Sequence, residues 1–564
     1  MTDTDVRMTL NFILDSSWAK FGDQPAIGMA MERSLSYTEL HHNVISLAVK
    51  LMEEGVGKGD HVAILAENSH CWGIAYLAIV RIGAIAVPIL PDLPESDVHH
   101  ILKEMGVDIL FTSQRQVDKV YELKQQLKGP VVMLDNSTSP EGLLNAVTFS
   151  ELLDQGTTLL AGAADTPVFP EVGEDDIASI LYTSGTSGYS KAVMLSHKNL
   201  TSNAYSGSRL MELRPGDVFL SILPMSHTYE FSMGFILPLL TGCRIAYAGK
   251  SPTPAILQKL CQYEKPKCMF AVPLVLEKIY KKRVLPQIEK SKLLTLACKT
   301  DFGRKLIYRK IGAKLISFFG GELRFMGIGG AALNPEVEQF LFDAKFPYLI
   351  GYGLTEASPL IAGGPFADTT IVVGSTGKPI SGVEVKIVDP DPASGIGEIY
   401  ATGANIMIGY YEDQEATDEV ISSDGWLATG DLGLIDEFGN LHVKGRSKNV
   451  IVMANGENVY PEAIEHKINS FHWVVESLVL ENNGQLEAWV YPDYEFLDEV
   501  TSGKNRTDRR NYIEGLLDEM RGELNTQLSG SSRIARVFER REPFIKTATH
   551  KIKRYLYSSH AMVG

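Results

Sequence analysis

The richest set of anion-holding residue types in the chain lies at 182–197, YTSGTSGYSKAVMLSH. It follows an apolar run, residues 177–181, that reads as a strand. Residues 183–191 hold two Gly, two Thr, three Ser and one Lys. Glycine lets backbone N–H groups turn toward an anion, hydroxyls add donors, and lysine adds charge. Holding a triphosphate requires those groups. The loop is not a Walker A motif, because Lys191 is flanked by Ser190 and Ala192 rather than by Gly and Ser/Thr. A short Ser/Gly/Thr run is, by itself, most often a flexible polar turn.

Further motifs raise the same question. GGAALNP at 329–335 and GYGLTEASP at 351–359 are followed by GWLATGD at 425–431. The segment 327–330 lacks the third glycine of a dinucleotide fingerprint. A lone Tyr-x-x-Thr-Glu reads as a turn with a helix cap. The basic stretch PFIKTATHKIKR at 543–554 would ordinarily be a solvated tail.

Taken in order, these segments resemble the signature motifs of the adenylate-forming superfamily. That group comprises acyl-CoA synthetases, nonribosomal peptide adenylation domains and firefly-type luciferases. The loop at 182–197 is similar to its TSGTTGxPKGVMLSH motif, with Ser190 for the usual Pro and Ala192 for the usual Gly. The resemblance implies that Thr183, Ser184, Gly185, Thr186, Ser187, Gly188 and Lys191 cradle the phosphates of ATP. Gly330, Ala331 and Ala332 then border adenine, and Tyr352 stacks on it. Thr355 meets the α-phosphate, and Glu356, with Thr186, holds Mg²⁺. A flat aromatic suits a purine face and a hard carboxylate oxygen suits Mg²⁺.

Asp431 is implied to read the ribose, because a carboxylate accepts two donors at once. KGRSKNVIVMANGENVYPEAIE at 444–465 is similar to the hinge motif. It makes Arg446 a ribose and phosphate contact and Lys448 the hinge, and it places Gly456, Glu457 and Asn458 along a thiol tunnel. The C-terminal motif maps the catalytic lysine onto Lys551, with His550 in place of the customary Gly. GEIYATGANIMIGYY at 397–411 matches a β-subdomain signature, to which no chemistry is assigned.

LPMSHTYE at 223–230 resembles the form found in long-chain acyl-CoA synthetases, which sets His227 beside the substrate carboxylate; alone, it would be a structural histidine in a turn. The implied reaction is activation of a long-chain fatty acid to acyl-AMP, followed by transfer to coenzyme A. The alternatives are an acyl-acyl carrier protein synthetase, an amino-acid adenylating enzyme and an inactive homologue acting as a scaffold. No clear pocket Asp for an ammonium group is found. The persistence of Thr355, Glu356, Asp431, Arg446 and Lys551 argues against the scaffold.

These residues need a large frame. At 564 residues the chain is too long for one core. Apolar β-type runs at 61–65, 83–90, 108–112 and 131–134 alternate with helical stretches such as 69–82. That pattern predicts an α/β fold with a largely parallel sheet. After Gly374, short runs such as 383–388 and 397–401 predict a small β subdomain. The resemblance completes the architecture: two layered α/β subdomains and the β subdomain in a body at 1–444, and a compact mobile α+β lid at 445–564. Residues 502–510 (SGKNRTDRR) read as a solvated loop within it.

Residues 282–322, rich in Lys, Arg and Leu, read as an amphipathic helical insertion packed on the body, with a membrane surface as the alternative. A net charge of −16 disfavours nucleic acid as a partner. Five cysteines without a C-x-x-C pair fit a reducing compartment. The first 21 residues lack the pattern of a signal peptide. The expectation is a cytoplasmic monomer or homodimer, with peripheral contact at the inner membrane face as the alternative.

Overall fold

The computed structural model describes residues 7–123, 127, 129–137, 146–183, 190–366, 368–453, 457–528, 530–547 and 551–557. Two large sheets build the body. The first runs Gly409–Tyr410, Lys191–Ser196, Ile177–Thr183, Ile85–Pro88, His61–Leu65, Ile109–Thr112, Val131–Met133, Ala146–Thr148. Its last six strands are parallel, and the first two pairings are antiparallel. The second runs Tyr348–Ile350, Phe325–Ile328, Cys268–Ala271, Val218–Ser221, Arg244–Tyr247, Pro25–Met29, Leu35–Ser36, parallel except at its last pair.

The helix His70–Arg81 shows why the sheets stack. Ser69 caps it by accepting from the Trp72 N–H, and every residue from Cys71 to Val80 is buried. A helix apolar all round must be covered on all sides. It touches strands of both sheets, and one core cluster spans them.

Four antiparallel strands, Val383–Val388, Gly397–Gly403, Leu427–Ile435 and Leu441–Arg446, form the small β unit. The boundary drawn between 444 and 445 lies inside the last strand. The chain leaves that sheet at the turn Ser447–Asn449. Beyond it, the strands Val474–Asn482, Gln485–Pro492 and Ile534–Glu539 pack with the helices Pro461–Ile468 and Arg506–Thr526 around a separate core.

The solvated loop read at 502–510 holds only as far as residue 505 and is corrected beyond it: a 21-residue helix begins at Arg506. Asn505 caps it by accepting from the Asp508 N–H, so the polar run is a helix start. The stretch 282–322 is helical, but its burial is uneven. Gly312, Leu315 and Phe318 are buried in Asp301–Phe318, whereas Lys292–Cys298 buries none of its residues. All five cysteines are free thiols. Among the described residues no helix is long and apolar enough to cross a membrane.

Candidate active site

Three candidate segments leave the carboxyl ends of parallel strands in the second sheet. Val218–Ser221 leads to His227, Phe325–Ile328 to Gly330, Ala331 and Ala332, and Tyr348–Ile350 to Tyr352, Thr355 and Glu356. The carboxyl edge of a parallel sheet is where α/β folds bind ligands. Gly330 adopts φ +86°, a conformation that glycine takes without strain. Gly330, Ala331 and Ala332 are all exposed along that edge.

The first sheet supplies the loop. Thr183 ends one strand and pairs directly with Lys191, which opens the next. The Thr183 hydroxyl donates to the Lys191 carbonyl at 3.4 Å. Ser184, Gly185, Thr186, Ser187 and Gly188 lie outside the described residues. The Lys191 Nζ sits 4.4 Å from the centroid of the Tyr410 ring.

Asn203 and Asn405 fix the segment that carries Glu356. Both donate to the Leu360 carbonyl, at 2.8 and 3.0 Å, and both reach the Ala357 carbonyl. The Glu356 carbonyl accepts from the Met407 N–H at 2.8 Å, and its Oε1 accepts from the Tyr410 hydroxyl at 3.0 Å.

Asp431 is held at both oxygens. The Tyr352 hydroxyl donates to Oδ2 at 2.7 Å, and Arg446 Nε donates to Oδ1 at 2.9 Å. Burial and the neighbouring Asp431 carboxylate push the Tyr352 phenol far above its usual range, so it stays a donor. Tyr352 thus braces the carboxylate through its hydroxyl.

The C-terminal unit brings Lys551 to this cleft. The Lys551 carbonyl accepts from the Thr547 N–H at 2.8 Å, and its own N–H donates to the Thr547 hydroxyl at 3.2 Å. Solvent reaches the side chain, yet crowding by protein pulls its pKa down. The Arg446 charge adds to that shift, while Asp431 and Glu356 oppose it. Burial, together with the nearby Lys551 charge, lowers the His227 pKa to about 4. His227 Nδ1 accepts from the Tyr229 N–H at 3.1 Å, so the neutral ring carries its proton on Nε2. Lys448 is exposed in its turn. Glu457 and Asn458 are exposed beside the pairing of Ile451–Val452 with Asn458–Val459; Gly456 and His550 lie outside the described residues.

The profile of AMP-binding enzymes matches residues 14–411. The chain belongs to the AMP-binding enzyme family. A dioxo-octahydroindenyl-propanoyl:CoA ligase of Rhodococcus jostii is 29% identical over 479 residues, covering 82% of this chain and 83% of that one. A long-chain-fatty-acid–CoA ligase of Mycobacterium bovis is 29% identical over 473 residues, 78% of this chain and 74% of its own. ATP-bound MatB from Rhodopseudomonas palustris superposes with a TM-score of 0.76 at 23% identity, over 99% of this chain and 100% of that one. An anthranilate CoA ligase in complex with anthranoyl-AMP gives 0.78 at 20%, over 100% and 99%. At such identities the structural likeness speaks for the fold.

Within this AMP-binding enzyme, sequence reasoning overlooked Tyr410, Asn203 and Asn405. Tyr410 sits in the glycine-rich stretch 397–411, whose composition marks no chemistry. Only the pairing of Gly409–Tyr410 with Lys191–Ser196 reveals its place.

Proposed function

We propose that this chain activates a long-chain fatty acid with ATP, releasing pyrophosphate, and then transfers the acyl group from acyl-AMP to coenzyme A. A carboxylate is inert to thiols because oxide is a poor leaving group. Its oxygen attacks the α-phosphorus of ATP, the bond to the bridging oxygen of pyrophosphate breaks, and a mixed anhydride results. The thiol then adds to the acyl carbon, AMP leaves and the thiol proton goes to solvent. The substrate carboxylate is itself the nucleophile, so the protein's task is positioning and charge neutralisation.

The observation that carries this reading is the convergence of Lys551 with Arg446, Asp431, Glu356 and His227, residues from distant parts of the chain. Lys551 and Lys191 offset phosphate charge. Asp431, held by Tyr352 and Arg446, takes the ribose. Neutral His227 donates from Nε2 to the substrate carboxylate without adding a second positive charge. The carboxylate of Glu356 is a hard oxygen donor of the kind Mg²⁺ takes, and with Thr186 it is the group to hold the ion. Bound Mg²⁺ supplies neutralisation of the phosphates. The unit at 445–564 acts as a lid turning at Lys448, which withdraws Lys551 and presents Glu457 and Asn458 to the thiol.

The name of the mycobacterial relative supports long-chain acids. The stretch 282–322 supports a peripheral lipid contact, since it carries ten basic residues and three acidic in a chain of net charge −16. The deciding experiment is a thioester assay over acids of increasing chain length, run in parallel with coenzyme A and with acyl carrier protein. Activity rising with chain length, with coenzyme A as acceptor, is the expected result. Absence of acid-dependent ATP–pyrophosphate exchange for every acid would overturn the reading.

A further inference from the structure

Between the body and the C-terminal unit, far along the chain from every residue given a chemical role, one lysine crosses the interface. Lys281 lies in the irregular helical turn Tyr280–Val284 of the body. Its Nζ donates to the Asn469 carbonyl, and to the Val474 carbonyl at 3.1 Å. Asn469 is the C-cap of the helix Pro461–Ile468, and Val474 opens the first strand of the C-terminal sheet. The last carbonyls of a helix lack intrahelical partners and carry its negative dipole end, so a cation placed there satisfies both.

A second body residue meets the same helix end. Asn334 Nδ2 donates to the His466 carbonyl at 3.1 Å. Its Oδ1 meanwhile caps the body helix Pro335–Asp343, accepting from the N–H groups of Glu336 and Val337. One side chain therefore joins the start of a body helix to the end of a C-terminal one.

The surrounding charges make the lysine's contribution specific. Glu277 and Glu336 of the body and Asp493 of the C-terminal unit all act on Lys281. Burial pulls the Lys281 pKa down and these carboxylates oppose it. Burial raises the Glu336 pKa, the Tyr280 hydrogen bond and the Lys281 charge lower it, and Glu289 and Glu523 raise it again. Glu523 belongs to the C-terminal helix Arg506–Thr526, so without the lysine carboxylates of both units would face one another across a partly desolvated gap. Like charges in that setting repel strongly.

We propose that Lys281 is a positioning residue, the catch that holds the lid where Lys551 reaches the nucleotide, and that releases it for thioester formation. This rests on the reading of the chain as a two-step ligase. Lys281 touches no substrate, and it acts by favouring one arrangement of the C-terminal unit over the other. A half-buried ammonium bonded to two carbonyls is a charge-assisted contact, and its loss is expected to shift the arrangement about tenfold.

The test compares Lys281→Met and Lys281→Arg with the unaltered chain in three measurements. Acid-dependent ATP–pyrophosphate exchange is expected to fall about tenfold in Lys281→Met. Thioester formation from supplied acyl adenylate is expected to hold or rise. Lys281→Arg, which keeps a charged donor, is expected to restore the exchange. Hydrogen exchange supplies a readout that needs no activity. Amides at 466–474 and 332–337 should exchange faster in Lys281→Met, while those of Gln485–Pro492 keep their protection. Equal loss of both half-reactions, or faster exchange throughout the C-terminal core, would reduce Lys281 to a structural residue and overturn the proposal. Unchanged exchange at 466–474 would overturn it too. Should the unaltered chain activate no acid, the reading of function fails, and the hydrogen-exchange arm still decides whether the catch exists.

Discussion

The Tyr410 hydroxyl donates to Glu356 Oε1 at 3.0 Å, tying the β-subdomain signature to the residue proposed to hold Mg²⁺. The same ring lies under the Lys191 ammonium, so one tyrosine orients both a carboxylate and a cation. Burial and the Glu356 charge push its phenol pKa far up, which keeps it a donor at any pH the protein meets.

Tyr410→Phe keeps the ring beneath Lys191 and removes only the hydrogen bond. A bond to a charged acceptor contributes about 1.5–3 kcal/mol. The expected outcome is an increase of about tenfold or more in the Mg²⁺ concentration needed for half-maximal pyrophosphate exchange, with the melting temperature held within a few degrees. A Mg²⁺ titration checks this. An unchanged requirement would remove Glu356 from the metal's surroundings.

Lys551→Ala is expected to slow adenylation by about 10² to 10³, the usual effect of losing one group that stabilises transition-state charge. Thioester formation from supplied acyl adenylate should persist. Lys448→Pro is expected to show the reverse, with pyrophosphate formation kept and thioester formation lost, because a fixed φ blocks rotation at the turn. Measuring each half-reaction separately decides both. Equal losses in Lys551→Ala would contradict its role, and a Lys448→Pro variant competent in both steps would refute the hinge.

Much of the fold is legible because its signals are local. Ser69 ahead of an apolar run announces the helix His70–Arg81, and alternating apolar runs announce the parallel strands. The polar run 502–510 misleads because a helix whose first turns face solvent has the composition of a loop; only Asn505 three residues before Asp508 marks its start. The identities of Asp431 and Lys551 could be read from motifs. The braces could not. Tyr352 meets Asp431 across 79 positions, Tyr410 meets Glu356 across 54, and Lys281 meets Asn469 across 188. No local pattern encodes such pairs, because chain topology brings them together.

The insertion offers a surface test. Phe302 is 82% exposed, Leu293 80%, Leu296 64% and Leu306 50%. Phe302, Lys305, Leu306 and Arg309 follow helical spacing on one face of Asp301–Phe318. An apolar stripe flanked by bases on an acidic protein suits an anionic lipid surface. Sedimentation with phosphatidylserine-containing vesicles should carry the chain down, weakly at high salt, and phosphatidylcholine vesicles should not. Replacing Leu293, Phe302 and Leu306 together by Ser should abolish sedimentation while leaving the activity on a short, soluble acid intact. Equal binding by the triple variant would exclude this face.

Glu230 gives a prediction about stability. It is 1% exposed, its Oε2 has no hydrogen-bond partner among the described residues, and burial raises its pKa to about 8 against a hydrogen bond from Ser221 that lowers it. The folded chain therefore binds this proton across a window, from about 4.5 to about 8, in which the unfolded chain has released it. In that window the folded state holds more protons, so stability falls as pH rises, by about 1.4 kcal/mol per pH unit for a full proton. Glu230→Gln matches the shape of the protonated acid and does not titrate. At pH 5 the two chains should unfold at similar urea concentrations, whereas at pH 8 the variant should be the more stable. Other buried acids titrate in both chains and cancel in the comparison. A difference that does not grow between pH 5 and pH 8 would mean that Glu230 is ionised in the fold, and that a cation or water satisfies it there.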